Sequence, residues 1–171
     1  MSAKPVILVL PYPLSANRYW RKFPIGGKKG GREIIVRSDE AKDYIGIVQR
    51  SALRAGIRTP FDGRVSVDIA LYPARPADWA RRARRDPLTW DNDVRCIDLD
   101  NARKVLYDAL KGVVFGDDKW VWHDSGRRME PDGEARVIVT VRPLALPGSP
   151  QGSLLGSDET GETARAVTAA L

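Results

Sequence analysis

The sequence predicts a single α+β domain, a small mixed or antiparallel sheet with two main helices packed on it. Three observations point there. Short apolar or alternating runs recur as strand candidates at residues 6–10, 33–37, 65–72, 119–123 and 135–142. Two longer stretches, residues 38–56 and about 100–111, carry apolar side chains at helical spacing. The 171 residues are enough for one ordinary domain with a real core.

The elements follow in order. Val6, Ile7, Leu8, Val9 and Leu10 form a continuous apolar run, the mark of a buried strand. Residues 11–21 are turn-rich, with Tyr12, Tyr19 and Trp20 set among Arg18 and Arg21. Residues 26–31 make a glycine-rich basic loop tip, and residues 33–37 close a hairpin across it. Ser38 is a helix N-cap, and Asp39 and Glu40 suit the positive end of the helix dipole. Tyr44, Ile45, Val48, Ala52 and Leu53 share one face, and Gly56 stops the helix. Val65, Val67, Ile69 and Leu71 alternate with Ser66, Asp68, Ala70 and Tyr72, the period of a half-buried strand ended by Pro73 and Pro76.

Residues 74–97 form a long loop with a short helix near residues 78–84. The loop carries Arg75, Arg81, Arg82, Arg84, Arg85 and Arg95 beside Trp79 and Trp90. The next helix starts near Asp100 or Asn101. Its stripe of Leu99, Ala102, Leu106, Ala109, Leu110 and Val113 lies opposite Asp100, Lys104, Asp108 and Lys111, and Gly112 caps it. The last two strands join through a polar turn at Pro131, Asp132 and Gly133. The domain is assigned to residues 1–142, and residues 143–171, small and polar after a Pro-Gly-Ser stretch, are expected to be a disordered or weakly structured tail.

Composition narrows the function. No apolar run approaches the roughly 20 residues needed to span a bilayer. The start lacks a secretory layout, so a cytoplasmic protein is expected. One cysteine, Cys96, and one histidine, His123, rule out a disulfide framework and a Cys/His metal site. Cys96 is read as a small buried residue and His123 as a strand residue with a hydrogen-bonded ring. Any metal should be a hard, oxygen-ligated ion such as magnesium or manganese. The net charge of +6 favours a polyanionic partner.

Against that basic background, acids gather in residues 98–118: Asp98, Asp100, Asp108, and the pair Asp117 and Asp118, with Lys104 among them. Carboxylates brought together raise one another's pKa, and a divalent cation removes that cost. On an extended approach to a helix, Asp98 and Asp100 project to the same face and can clasp one cation. One member of the Asp117–Asp118 pair can return to the same site. Lys104, one helical turn beyond Asp100, is placed to hold a phosphate or stabilise the transition state. This set suits metal-assisted phosphodiester hydrolysis. A plainer reading stands beside it: Asp100 as a helix cap, Asp100, Lys104 and Asp108 as a solvated ladder of ion pairs, and Asp117–Asp118 as an ordinary turn.

The order Asp98-Leu99-Asp100-Asn101, Lys104, Asp108-Ala109-Leu110 and Asp117-Asp118 before an apolar strand resembles the RusA-type Holliday junction resolvases. So does the opening Pro11-Tyr12-Pro13-Leu14-Ser15-Ala16-Asn17-Arg18-Tyr19-Trp20, and the likeness covers roughly residues 5–142. The resemblance implies a homodimeric α+β endodeoxyribonuclease, of a kind common in phages and prophages. Such an enzyme resolves four-way DNA junctions with magnesium or manganese. Carried over, its metal-binding aspartates fall on Asp98, Asp100 and Asp118, its catalytic lysine on Lys104, and a less critical acid on Asp117. The basic loop before Asp98 is longer than usual for the family, and the tail after Pro143 is an addition.

Asn17, Arg18, Arg21, Lys22, Lys28 and Lys29 are candidate DNA contacts, with Tyr19 and Trp20 either stacking on a base or anchoring the core. Arg81, Arg82, Arg84 and Arg85 form a second candidate DNA-facing patch. Two other functions are compatible with the residues. One is a non-catalytic junction- or DNA-binding protein. The other is a phosphatase with an aspartyl nucleophile at Asp98, which the lack of a Rossmann-like βα succession disfavours.

Overall fold

The computed structural model describes residues 4–25 and 32–145. The expected loop tip at residues 26–31, with Lys28 and Lys29, and residues 146–171 of the tail expected over 143–171 lie outside the described residues; Pro143 ends a strand and is not tail.

Apolar alternation builds the sheet. Strands β1 (Val6–Pro11), β4 (Val65–Tyr72), β5 (Val121–Arg128) and β6 (Arg136–Pro143) form one four-stranded sheet in the order β1-β6-β4-β5. β6 runs antiparallel to both β1 and β4, whereas β4 and β5 are parallel, so the sheet is mixed. The parallel pair needs a long crossover, and residues 73–120 supply it. One row across the sheet reads Leu8, Val139, Ile69, Gly126. The first three are buried, and they face the helices with Leu10, Val67, Leu71, Val137 and Val141.

Two helices cover that face. Helix α2 (Asp39–Arg54) is capped by Ser38, whose hydroxyl accepts from the Ala41 N–H at 3.1 Å, and it buries Ala41, Tyr44, Val48 and Ala52. Leu53, expected on that face, is 48% exposed. Helix α4 (Leu99–Leu110) buries Ala102, Val105, Leu106, Ala109 and Leu110. A buried leucine here contributes about 1.5–3 kcal/mol by leaving water. The α+β class and the two main helices match the expectation.

Several local readings differ. The turn-rich segment holds a helical turn, α1 (Ala16–Tyr19), and runs straight into strand β2 (Trp20–Ile25). β2 pairs antiparallel with β3 (Arg32–Arg37) in a separate two-stranded sheet. The short basic helix, α3, spans Trp79–Arg85. Residues 94–97 are not a strand. They are held by Tyr12, whose hydroxyl accepts from the Ile97 N–H at 3.0 Å, and by Arg128, which donates to the Val94 carbonyl at 2.8 Å. The strand expected at residues 119–123 starts at Val121, after a 3-10 turn at Asp118–Trp120, and continues to Arg128. His123 lies on that strand but is exposed and makes no side-chain hydrogen bond among the described residues. Cys96 is half-buried, 3.1 Å from the Tyr12 hydroxyl.

Candidate active site

Helix α4 carries the acidic motif because its first turn needs a cap. Asp98 is the N-cap: one carboxylate oxygen accepts from the Asn101 N–H at 2.8 Å, the other from the Asn101 side-chain amide at 2.6 Å. Such a cap contributes about 1 kcal/mol. The helix therefore begins two residues before Asp100 can act as a cap. Asp98 keeps the extended backbone expected of the approach to the helix, Asp100 lies in the first helical turn, and the charges of both reach Lys104.

Asp100 instead faces along the helix. Its carboxylate is 2.6 Å from the Lys104 ammonium, and both side chains are exposed. The hydrogen bond from Lys104, then its charge, hold Asp100 below the usual carboxylate range, and the same contact raises Lys104.

The far end of α4 turns back sharply. Gly112 takes φ +74, a left-handed conformation open to glycine, and its N–H donates to the Phe115 carbonyl at 2.7 Å. Phe115 and Val114 are fully buried, and the Phe61 N–H donates to the Val114 carbonyl at 2.8 Å. This anchored turn returns Asp117 and Asp118 to Lys111, at 2.7 and 3.6 Å. Asp117 also accepts from the Lys119 N–H at 3.1 Å. The Lys111 hydrogen bond is the main cause that pushes Asp117 far below the ordinary carboxylate value.

Between these ends lies a cavity of about 270 Å³ lined by Arg103, Lys104, Tyr107, Asp108, Lys111 and Asp118. Its three cations are each already paired with a carboxylate, Arg103 with Asp124, Lys104 with Asp100 and Lys111 with Asp117, so basic and acidic groups are interleaved around it. Asp108 does not join a ladder with Lys104. It accepts from the buried Tyr19 hydroxyl and from two Arg37 nitrogens, at 2.8 and 2.6 Å. Burial pushes Asp108 up, but the Arg37 and Tyr19 hydrogen bonds outweigh it and leave the group low. On the other flank, Tyr107 donates to Asp124 of β5 at 2.9 Å, with Arg103 at 2.5 Å from the same carboxylate. Gly126 lets the helix lie close: a Cβ there would stand 3.3 Å from Leu99 and Arg103 side-chain atoms.

The endodeoxyribonuclease RusA family model matches residues 11–142. The chain belongs to the RusA endodeoxyribonuclease family. Membership points to an endonuclease that resolves Holliday junctions, with junction DNA as its substrate and a general dependence on metal. It sets aside the phosphatase and non-catalytic alternatives. No curated protein matches the chain. Among the described residues, no helix is long and apolar enough to cross a membrane.

In this RusA-family chain, the structure brings together some of the expected site residues. Lys104 and Asp118 line one cavity, and Asp100 is bonded to Lys104. Asp98 sits at the helix start, engaged with Asn101. Among the described residues, no three Asp, Glu, His or Cys side chains are grouped closely enough to hold a metal ion. The donor type, exposed carboxylates, fits a hard divalent cation. Asp100, Asp117 and Asp118 take lysine ammonium groups as their counter-cations instead.

The candidate DNA contacts divide. Arg81 and Arg82 are paired with Asp78 at 2.9 and 2.8 Å, and Arg85 with Asp86 at 3.4 Å. Arg84 is exposed and has no ion pair among the described residues. Arg18 is paired with Glu40 at 2.9 Å and Lys22 with Glu33 at 3.6 Å. Tyr19 is fully buried, so it anchors the core and does not stack on DNA. The sequence reading missed Arg37, Arg103, Tyr107 and Asp124. Arg103 and Tyr107 lie one turn apart on α4, but their shared partner Asp124 is distant in the chain, and no local pattern announces it.

Proposed function

We propose that the chain cuts four-way DNA junctions with Asp98, Asp100 and Asp118 as the holders of magnesium or manganese. Asp117 is an auxiliary acid, and Lys104 holds the scissile phosphate. The observation that carries this reading is the cavity shared by Lys104 and Asp118, with Asp100 bonded to Lys104 at its rim. When bound, a divalent ion would activate water and stabilise the leaving oxygen. Lys104 and Lys111 have to exchange their carboxylate partners for phosphate oxygens as the DNA strand arrives. Exposed ion pairs are weak enough to allow that exchange.

Asp98 supports the reading by a second route. As N-cap it holds the first turn of α4, the helix on which Asp100 and Lys104 stand one turn apart. Asn17, Arg18, Arg21, Lys22, Lys28, Lys29, Arg81, Arg82, Arg84 and Arg85 are proposed to contact the junction, the cations among them through its phosphates. We take the active form to be a homodimer, because two sites related by a two-fold axis match a pseudo-symmetric junction and give paired cuts. Work inside the cell, on DNA in the cytoplasm, fits such a substrate.

The test is cleavage of a synthetic four-way junction against a linear duplex of the same sequence, with magnesium, with manganese and with chelator. The reading predicts paired nicks near the crossover in either metal, little cutting of the duplex, and none with chelator. Equal cutting of both substrates, or cutting in chelator, would reject it.

A further inference from the structure

A second cavity, of about 720 Å³, lies between α1 and the β2–β3 hairpin and is lined by Ala16, Asn17, Trp20, Lys22 and Ile35. Small-ligand sites measure about 300–1,000 Å³. These side chains are not spent on the core: Trp20 is 38% exposed and Ile35 61%. The Trp20 ring meets the buried Tyr19 ring edge-on, with centroids 5.1 Å apart and planes at 72°. That contact holds the indole in place and leaves ring surface for stacking. The Asn17 side chain makes no hydrogen bond among the described residues, so its donor and acceptor are both available. Among the described residues Lys22 has one carboxylate partner, the exposed Glu33, 3.6 Å away, a pair weak enough to give way to a phosphate.

An aromatic face, a side-chain amide and an ammonium group in one hollow are what a single unpaired nucleotide requires. The base stacks, its edge hydrogen-bonds, and its phosphate meets a cation. The hollow is also tied to the nuclease cavity. Trp20 follows Tyr19, and the Tyr19 hydroxyl donates to Asp108, which lines the cavity holding Lys104 and Asp118. The two cavities are thus joined through the Tyr19–Asp108 bond.

We propose that this hollow captures one unpaired base of the junction strand beside the scissile phosphate. Trp20 stacks on the base, Lys22 holds its phosphate, and Asn17 reads its edge. The proposal rests on the junction-nuclease reading and adds to it a residue that sets sequence choice. An amide with a fixed donor and acceptor favours some bases over others. The site of cutting should then depend on the base at that one nucleotide, and Asn17 should be the cause.

The experiment uses the full chain and four junctions that differ only in the base placed beside each nick site. Wild-type protein should cut the four at unequal rates. Asn17→Ala should cut all four within about twofold of one another while still cutting. Trp20→Ala should weaken junction binding about five- to a hundredfold, with Trp20→Phe restoring most of it. Asn17 is exposed, so its variant tests the idea even if Trp20→Ala is poorly folded. Equal rates on all four junctions with wild type, or an unchanged base preference in Asn17→Ala, would overturn the proposal. Wild type that cuts no junction at all would instead overturn the nuclease reading beneath it.

Discussion

Asp108→Ala separates structural from catalytic acids in this helix. The substitution removes the acceptor for Tyr19 and for two Arg37 nitrogens. Tyr19 is fully buried, so its hydroxyl loses its partner away from water, which costs about 1–3 kcal/mol. The Arg37 side chain is 46% exposed, so water replaces its lost partner and that half of the loss is at most about 1 kcal/mol. The sum is about 1–4 kcal/mol, or roughly 2–16 °C in Tm for a chain of this size. Urea unfolding followed by tryptophan fluorescence measures it.

The pH dependence gives a second check on the same group. Asp108 is held below its ordinary value of 3.8, so its contribution is present above that value and is lost as pH falls through the lower, folded value. The gap between wild type and Asp108→Ala should be full at about pH 7 and should shrink below about pH 4. Tyr19→Phe should lower stability by about 1–2 kcal/mol in wild type and by little in Asp108→Ala, because both remove one bond. Additive losses, or an unchanged stability in Asp108→Ala, would show that the bond does not join α1 to α4 as described.

Other outcomes follow from the same geometry. Lys104→Ala should keep junction binding and slow cutting about a hundred- to a thousandfold, measured under single-turnover conditions. Gly126→Val should push α4 away from β5 and cost about 1–3 kcal/mol in urea unfolding, because its nearest neighbours already stand 3.3 Å from a Cβ. Junction affinity measured against salt should lose about one unit of slope in Arg84→Ala and less in Arg82→Ala, since Arg82 is already tied to Asp78.

Much of the framework was legible because local and tertiary signals agree. Ser38 with Asp39 and Glu40 marks the start of α2, and the alternation from Val65 to Leu71 marks β4, as the coordinates place them. Lys104 beside Asp100 follows from helical spacing alone. The misses share one cause, partners distant in the chain. Residues 94–97 have strand-like composition, but Arg128 and Tyr12 hold them as irregular chain. Asp108 looked like one rung of a surface ladder, yet Tyr19 and Arg37, from α1 and β3, claim it. The hollow beside Trp20 had no signature beyond an aromatic among basic residues, because the hairpin that walls it comes from a separate two-stranded sheet.

The central claim is that acids at the two ends of α4 serve one cutting site around Lys104. Its most direct test is a time course of four-way junction nicking in magnesium by wild type, Asp98→Asn, Asp100→Asn and Asp118→Asn, with junction binding measured in parallel. The account predicts that all four proteins bind the junction within a few-fold of one another and that only wild type cuts. Nicking by any of the three variants at the wild-type rate would contradict it.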